Sequence, residues 1–179
     1  MTRRRAKPRR VEQGVATRRV RTHHLVPLPD RHRTSRHHYG EELMFDKKTN
    51  IAAQEAFGEA INTGDIDAFD DLVDLNSIDH DPAPGQQPGP EGYKQFFGEM
   101  RSAFPDLHVD VENLLADGDQ VAFAYTLTGT HQGPFKGHEA TGRTIEVRGL
   151  QISKFAEGKM TERWGSTDEM GILTQLGLD

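Results

Sequence analysis

The hydrophobic period of this chain changes from helical to extended at a single point, the dipeptide Pro105-Asp106. Before it, large apolar residues recur at i, i+3, i+4, i+7 and i+11, the spacing of one helix face. These residues are Tyr93, Phe96, Phe97, Met100 and Phe104. After it, Leu107, Val109 and Val111 alternate with polar residues, as in a half-buried strand. The fold must therefore place an aromatic helix next to a sheet.

Two further helical patterns precede the aromatic helix. Apolar residues at i+4 spacing predict a helix over residues 51–62, with Asn50 as its N-cap and Gly64 just after its end. A second, short helix is expected to begin near Asp65. Residues 78–90 contain four prolines and two glycines and predict an irregular loop.

Alternating patterns after the aromatic helix predict at least four long strands. The dipeptides Asp117-Gly118 and Glu157-Gly158 are typical of tight turns and separate the first strand from the second and the third from the fourth. The third strand is expected over residues 144–155 and the fourth over residues 159–165. An amphipathic helical turn over residues 168–176 closes the pattern.

Helices followed by strands indicate an α+β fold, with the helices on one face of a mostly antiparallel sheet. Glycines inside the predicted strands, at Gly129, Gly149 and Gly165, favour a bend. A strongly curved sheet closed by about three N-terminal helices encloses a cone-shaped pocket. Such a pocket suits a small apolar molecule.

Charge is divided unevenly along the chain. Residues 1–43 contain 12 of the 22 Lys and Arg but only 4 of the 28 Asp and Glu, so residues 44–179 carry a net charge of about −14. An acidic surface of this kind repels both nucleic acid and anionic membranes. We therefore expect no nucleic-acid partner and no membrane partner for residues 44–179.

The basic segment at residues 1–43 shows neither helical nor strand periodicity. Its few apolar residues cannot bury enough surface to offset chain entropy, which predicts disorder. One interpretation is a basic arm for nucleic acid or an acidic partner. The other is translated upstream sequence, with the natural start at Met44. The second is favoured because Met44 leads directly into the first helical pattern.

The sequence also limits the class of protein. It contains no cysteine, which excludes disulfides and thiolate metal sites. It has no apolar run of the roughly 18–20 residues that a membrane-spanning helix needs. The arginines of residues 3–10 are not followed by the apolar stretch of a signal peptide. A cytoplasmic protein is expected.

A series of short motifs runs through residues 48–177 in one order. They are Ile78-Asp-His-Asp-Pro82, Gly89-Pro-Glu-Gly92, Ala103-Phe-Pro-Asp-Leu107, Gly129-Thr-His-Gln-Gly133, Phe135-Lys-Gly137, Ala140-Thr-Gly-Arg143, Glu157-Gly-Lys159 and Gly171-Ile-Leu-Thr-Gln-Leu-Gly177. In this order and spacing they resemble the SnoaL-like polyketide cyclases, also called ester cyclases, of the NTF2-like superfamily. The resemblance implies a cone-shaped NTF2-like fold, a homodimer formed through the open sheet face, and no metal or organic cofactor.

The resemblance does not extend to the usual catalytic pair. In the characterised polyketide cyclases an aspartate acts as acid and base, helped by a histidine on the neighbouring strand. Counting back from the Glu157-Gly158 turn and from Gln175-Leu-Gly177, the histidine position falls on Gln151 and the aspartate position on Gly165. Neither residue can exchange a proton at neutral pH.

Two residues are candidate catalytic groups. Asp168 lies close to the empty aspartate position and could act as a base, or it could simply cap the final helix. His80 could be a general base oriented by Asp79 or Asp81, or it could belong to a polar loop cluster that hydrogen-bonds the backbone. Adjacent residues of an extended segment point to opposite faces, so we expect no metal site there.

Six residues are candidate substrate contacts. A tyrosine on an apolar face needs a partner for its hydroxyl, and a glutamine can orient a carbonyl without proton transfer. An arginine could enter the pocket or form a surface ion pair. Core packing with one hydrogen bond is the alternative for the tyrosine, and the tryptophan is expected at the sheet interface or the cavity wall. A histidine at a strand exit could line the pocket rim. The candidates are Phe97, Tyr125, His131, Gln151, Arg163 and Trp164.

The sequence supports two functions. The first is a small-molecule enzyme that acts on an apolar carbonyl compound by acid–base chemistry of the cyclase, isomerase or hydratase type. The second is a non-catalytic protein that binds a small apolar metabolite. The loss of the His/Asp pair favours the second, and the resemblance favours the first.

Overall fold

The computed structural model describes residues 36–178, with side chains from residue 47 onward. Most of the basic extension expected at residues 1–43 therefore lies outside the described residues. Its disorder and the alternative start at Met44 both stay predictions.

The first helix, α1, spans Arg36–Thr63 and ends at Gly64, which adopts a φ of +78°. The prediction that it begins after Asn50 is wrong. Asn50 lies inside the helix, is buried, and donates its amide N–H to the carbonyl oxygen of Gly118. The turns before Asn50 carry no apolar stripe that would reveal them in the sequence. Neither α1 nor another helix of the described residues is long and apolar enough to cross a membrane.

Two short helical segments lead into an edge strand. A 3₁₀ turn at Ile66–Ala68 and helix α2 at Phe69–Leu72 match the short helix expected near Asp65. Strand β1 then spans Val73–Asp79, overlapping the start of the expected loop. The sequence does not reveal β1 because only two of its residues are buried and an irregularity interrupts its pairing.

The aromatic helix, α3, spans Gly89–Ala103, as predicted, with proline in its first turn. Its residues Tyr93 and Phe97 pack with Phe57 of α1 and Phe69 of α2, with ring centroids 4.9–6.3 Å apart. Several of these ring pairs are tilted or edge-to-face, which adds to the hydrophobic gain from burial. The cluster therefore joins the three helices into one layer.

Four further strands and a last helix complete the fold. They are β2 (His108–Asp117), β3 (Gln120–Thr130), β4 (Thr144–Ala156), β5 (Lys159–Thr167) and α4 (Glu169–Leu176). The sheet order is β1-β5-β4-β3-β2, and within residues 36–178 only the β1–β5 pair is parallel. These elements confirm an α+β fold with a curved, mostly antiparallel sheet.

The two faces of the sheet differ in burial. Along β4, alternate residues from Ile145 to Phe155 are buried, and this side is called the inner face. The residues between them include Leu150 and Ile152, which are 65% and 41% exposed and belong to the outer face. Helix α1 packs against β2 and α3 packs against β1. The curved sheet and the helices thus leave the space between them as the interior of the protein.

Two glycines of α3 provide a matched test of this packing. A Cβ at Gly92 would overlap the backbone carbonyl oxygen of Gln87, whereas a Cβ at Gly98 would meet only Ile66 Cδ1 at 3.9 Å. Gly92→Ala is therefore expected to lower the free energy of unfolding by about 1–3 kcal/mol. Gly98→Ala is expected to raise it by about 0.5–1 kcal/mol, because alanine is the better helix former. Urea unfolding measures both, and a loss of equal size in the two variants would contradict the packing described.

Candidate functional site

A cavity of about 560 Å³ lies between the inner face and the helices. This volume is typical of a small-molecule site. The lining is mainly apolar and takes residues from α1, α3, the sheet and α4. Its larger apolar members are Ile51, Phe57, Ile61, Phe96, Phe97, Met100, Leu107, Val109, Leu114, Phe123, Leu127, Phe135 and Ile172. The predicted contact Phe97 is therefore part of the wall.

Arg163 of β5 brings a guanidinium group into this apolar wall. Its Nη1 donates to both carboxylate oxygens of Asp79, at 3.0 and 3.1 Å. Its Nε donates to Oε1 of Gln151 at 3.0 Å. The side chains of Arg163 and Asp79 are only 17% and 8% exposed, so the pair is largely removed from water. Three hydrogen bonds therefore fix the plane of the guanidinium.

Gln151 and Gly165 occupy neighbouring positions on the inner face. They lie opposite each other in the β4–β5 register. A Cβ at Gly165 would overlap Nη2 of Arg163, so the missing side chain leaves room for the guanidinium. Nη2 makes no hydrogen bond to any described residue. Its two N–H groups are available to a ligand.

Tyr125 and Thr167 form a second polar group in the lining. Their hydroxyl oxygens are 2.7 Å apart. Gly149 lies opposite Tyr125 in the β3–β4 register, and a Cβ there would overlap the tyrosine ring and hydroxyl. One hydroxyl donates to the other, so the accepting hydroxyl keeps its own hydrogen for a ligand.

A buried tyrosine lies near the ion pair. Burial, followed by the nearby carboxylate of Asp79, raises the pKa of Tyr93 well above its usual value. The phenol is therefore neutral at physiological pH. Its hydroxyl interacts with the side chains of Ser77 and Asp79, but neither it nor the Ser77 hydroxyl has a hydrogen bond of good geometry within the described part of the chain. Tyr93 and Ser77 do not line the cavity.

Gln54 of α1 is the most buried polar side chain in the lining. The residue is 4% exposed, and its Oε1 has no hydrogen-bond partner among the described residues. It lies three residues before Phe57, on the apolar stripe of the helix. That position within the stripe is the only sequence signal that could have identified it.

His80 and Trp164 lie on the outer face, away from the cavity, and neither lines it. Trp164 pairs with the exposed Ile152 of β4, and the ring of His80 stacks on it at 4.2 Å. Nε2 of His80 lies 3.0 Å from Glu162. Of the two places expected for Trp164, the sheet interface and the cavity wall, its position fits the first. Consecutive strand residues alternate in direction, so Asp79, not His80, points inward.

Asp168 caps α4. Its Oδ1 accepts a hydrogen bond from the backbone N–H of Gly171 at 2.8 Å. The residue is exposed and does not line the cavity, although its neighbours Thr167 and Glu169 do. The geometry fits the helix-cap alternative. Neither Asp168 nor His80 lines the cavity, so the geometry does not support a catalytic role for either residue.

His131 is fully buried in the core and does not line the cavity. Its Nδ1 accepts the backbone N–H of Thr141 at 3.2 Å, and its ring lies 5.4 Å from that of Phe104. His131 holds the connection between β3 and β4 against the core. As for metal ligands, no three His, Cys, Asp or Glu side chains in the described part of the chain are grouped to hold an ion.

The profile of a family described as SnoaL-like polyketide cyclase matches residues 51–176. Among solved structures, TsrD of Streptomyces laurentii is similar over 74% of this chain and 98% of its own, with 26% identity and a TM-score of 0.68. A proposed polyketide cyclase of Bacillus cereus is 29% identical over 73% of this chain and 81% of its own, with a TM-score of 0.65. IdmH of Streptomyces antibioticus, also a proposed polyketide cyclase, is 29% identical over 72% of this chain and 98% of its own, with a TM-score of 0.63. No curated protein sequence matches this chain significantly.

The Arg163–Asp79 pair can be tested through stability. Asp79→Asn is expected to lower the free energy of unfolding by about 3 kcal/mol, because a buried guanidinium loses its counter-charge. Asp117→Asn is the control: Asp117 is 99% exposed, pairs with Lys47, and asparagine preserves its turn. We expect no measurable change in that variant. Guanidinium chloride unfolding at pH 7 compares the two, and an Asp79→Asn protein as stable as the control would refute the pairing.

Proposed function

The chain belongs to the SnoaL-like polyketide cyclase family, and from this premise we propose that its cavity binds an apolar carbonyl compound in the cytoplasm. The chemistry proposed there is acid–base catalysis of the cyclase, isomerase or hydratase type. Each of these reactions passes through an enol or a similar species that carries developing negative charge on oxygen. A site that stabilises that charge lowers the barrier.

One observation carries the proposal: Arg163 holds unpaired Nη2 donors against an apolar cavity. A carbonyl oxygen that accepts these N–H groups is polarised before reaction. The low-dielectric lining makes the charged hydrogen bond stronger than it would be in water. Asp79 and Gln151 hold the guanidinium in place, so little reorganisation is needed when charge develops.

The proposed chemistry proceeds without the usual His/Asp pair. The resemblance assigns those two positions to Gln151 and Gly165, which lie opposite each other in the β4–β5 register. Gly165 admits Arg163 into the space that a side chain would take. In this proposal, the site has the fixed positive charge of Arg163 where the characterised cyclases have a group that transfers a proton. Tyr125 and Thr167 are the hydroxyls proposed to relay a proton to or from the bound compound.

The alternative function is binding without catalysis. It is favoured by the ionisable groups of the lining. The carboxylates there, on Glu55, Glu59 and Glu169, belong to exposed residues, and no histidine of the described residues lines the cavity. A protein that only sequesters an apolar ketone needs a cavity and an oriented donor, but no base. The two functions differ in one measurable event, the loss of a hydrogen from the carbon next to the carbonyl.

Arg163→Lys tests this proposal with 2-acetylnaphthalene as the probe. In D₂O, enolisation transfers a methyl proton to solvent through the Tyr125–Thr167 hydroxyls, the C–H electron pair forms a C=C bond as the carbonyl π pair moves to oxygen, and a deuteron from solvent later returns to carbon. We expect the native protein to accelerate deuterium uptake, followed by proton NMR. Lysine keeps a charge beside Asp79 but loses the planar fork, so the protein-dependent rate is expected to fall by about a hundredfold.

Two variants serve as controls. Arg148→Lys makes the same change on an exposed residue that pairs with Glu112 outside the cavity, and it should leave the rate unchanged. Asp168→Asn keeps a good helix cap and removes the carboxylate, so a loss of exchange would restore Asp168 to the mechanism. Calorimetric binding of the ketone with no exchange above buffer would select the binding function.

The outer face supports a homodimer, which we propose in line with the family resemblance. Leu115, Ala122 and Ile152 lie in one row across β2, β3 and β4, and Trp164 continues it on β5. Leu115 and Ile152 are 68% and 41% exposed, and Leu150 of the next row is 65% exposed. Apolar side chains grouped on a sheet face are typical of a surface covered by a partner. A second copy of this chain is the proposed partner.

Ile152→Glu is expected to convert this dimer into a monomer, because it places a charge at the centre of the apolar rows. Met170→Glu is the control, since Met170 is also an exposed apolar residue, at 65%, but lies on α4. Sedimentation velocity gives the mass of each protein. A monomeric native protein, or a dimer that persists in Ile152→Glu, would exclude this interface.

A further inference from the structure

Gln54 is a polar residue that the proposed chemistry does not use. It lines the cavity from α1, is 4% exposed, and presents an Oε1 with no hydrogen-bond partner among the described residues. The lining residues one turn away on the same face of α1 are Ile51, Phe57 and Gly58, which offer no side-chain donor. Buried polar atoms are paired in the great majority of cases, so an unpaired one in a binding cavity indicates a missing partner.

The position of Gln54 separates it from the groups already described. Arg163, Gln151 and Tyr125 belong to the sheet wall of the cavity, whereas Gln54 belongs to the helix wall. The sheet wall offers N–H and O–H donors, and the helix wall offers an acceptor. A compound that hydrogen-bonds to both walls has a carbonyl oxygen facing the sheet wall and an O–H or N–H donor facing the helix wall.

We propose that Gln54 selects substrates that carry a hydroxyl or N–H group facing α1 when their carbonyl is bound at Arg163. This inference rests on the proposed function, since it concerns the same cavity and the same class of carbonyl compound. A site built to hydrogen-bond a substrate hydroxyl rejects the analogue that lacks it, because the buried amide is then left unpaired. Gln54 is thus a specificity residue.

The test uses rigid ketones that differ at one position. The probes are 2-acetylnaphthalene and its derivatives with a hydroxyl at position 5, 6 or 7, together with the matching methoxy compounds. Titration calorimetry measures their affinity for the native protein and for Gln54→Leu. We expect at least one hydroxyl isomer to bind the native protein about tenfold tighter than the unsubstituted ketone, the value of one hydrogen bond. In Gln54→Leu this preference should disappear.

The methoxy compounds identify which end of the amide is used. A methoxy group accepts hydrogen bonds but cannot donate one, so it should give no gain if Oε1 of Gln54 receives the ligand hydrogen. A methoxy gain equal to the hydroxyl gain would overturn the requirement for a donor. Gln95→Leu is the matched control, because Gln95 is exposed on α3 and pairs with Glu99 outside the cavity. It should retain the native preference.

Two readouts separate the possible failures. If none of the ketones, with or without a hydroxyl, binds the native protein, the proposed function fails and this inference fails with it. If every ketone binds with equal affinity to the native protein and to Gln54→Leu, only the role of Gln54 is overturned. Thermal unfolding gives an independent check. Gln54→Leu should unfold at a higher temperature without ligand, since it removes an unpaired buried amide, and a lower temperature would show that the amide has a partner in the free protein.

Discussion

The buried ion pair between Arg163 and Asp79 joins edge strand β1, the strand that is hardest to predict from the sequence, to the wall of the cavity. Asp79 ends β1, the edge strand that pairs in parallel with β5, and Arg163 lies on β5 directly beside it. A buried guanidinium without a counter-charge is costly. Arg163 can therefore lie in the cavity wall only while β1 pairs with β5 in the way that brings Asp79 beside it. Gln86 reinforces the link by donating to Asp79 from the following loop.

Strand alternation decides which residues of this region can take part in chemistry. Asp79 and His80 are neighbours in sequence, as are Arg163 and Trp164, yet the first of each pair points to the interior and the second faces outward. The outward pair stacks ring on ring, and the inward pair forms the ion pair. The same dipeptides therefore supply both the cavity and the apolar outer face. A shift of one residue in the β1–β5 register would exchange the two surfaces.

The parts of the fold that were predictable from sequence are those determined by local periodicity. Helix α3 and the strands β2 to β5 follow from runs of apolar residues at spacings of 3.6 and 2, and the hairpin turns follow from Asp117-Gly118 and Glu157-Gly158. Strand β1 was missed because its stability comes from a partner more than 80 positions away in the chain, as the pairing of Asp79 with Arg163 illustrates. For the same reason the site was predicted in part. Gln151, Tyr125 and Arg163 were identified by their faces on long strands, whereas the inward direction of Asp79 depends on a pairing that the sequence does not display.

The chemistry open to this cavity follows from what an arginine can and cannot do. A guanidinium stays protonated at every physiological pH, so Arg163 can stabilise negative charge but cannot accept a proton from carbon. An enzyme that depends on it gains in every reaction whose barrier includes charge on oxygen, the enolisation of a simple aryl ketone among them, and gains most where hydrogen removal from carbon is not limiting. Substrates that are already acidic, such as carbonyl compounds flanked by a second carbonyl, therefore suit the site best. Under the proposed function, water or the Tyr125–Thr167 hydroxyls would carry the proton of such compounds, and the fixed charge of Arg163 would supply the stabilisation that a catalytic carboxylate cannot.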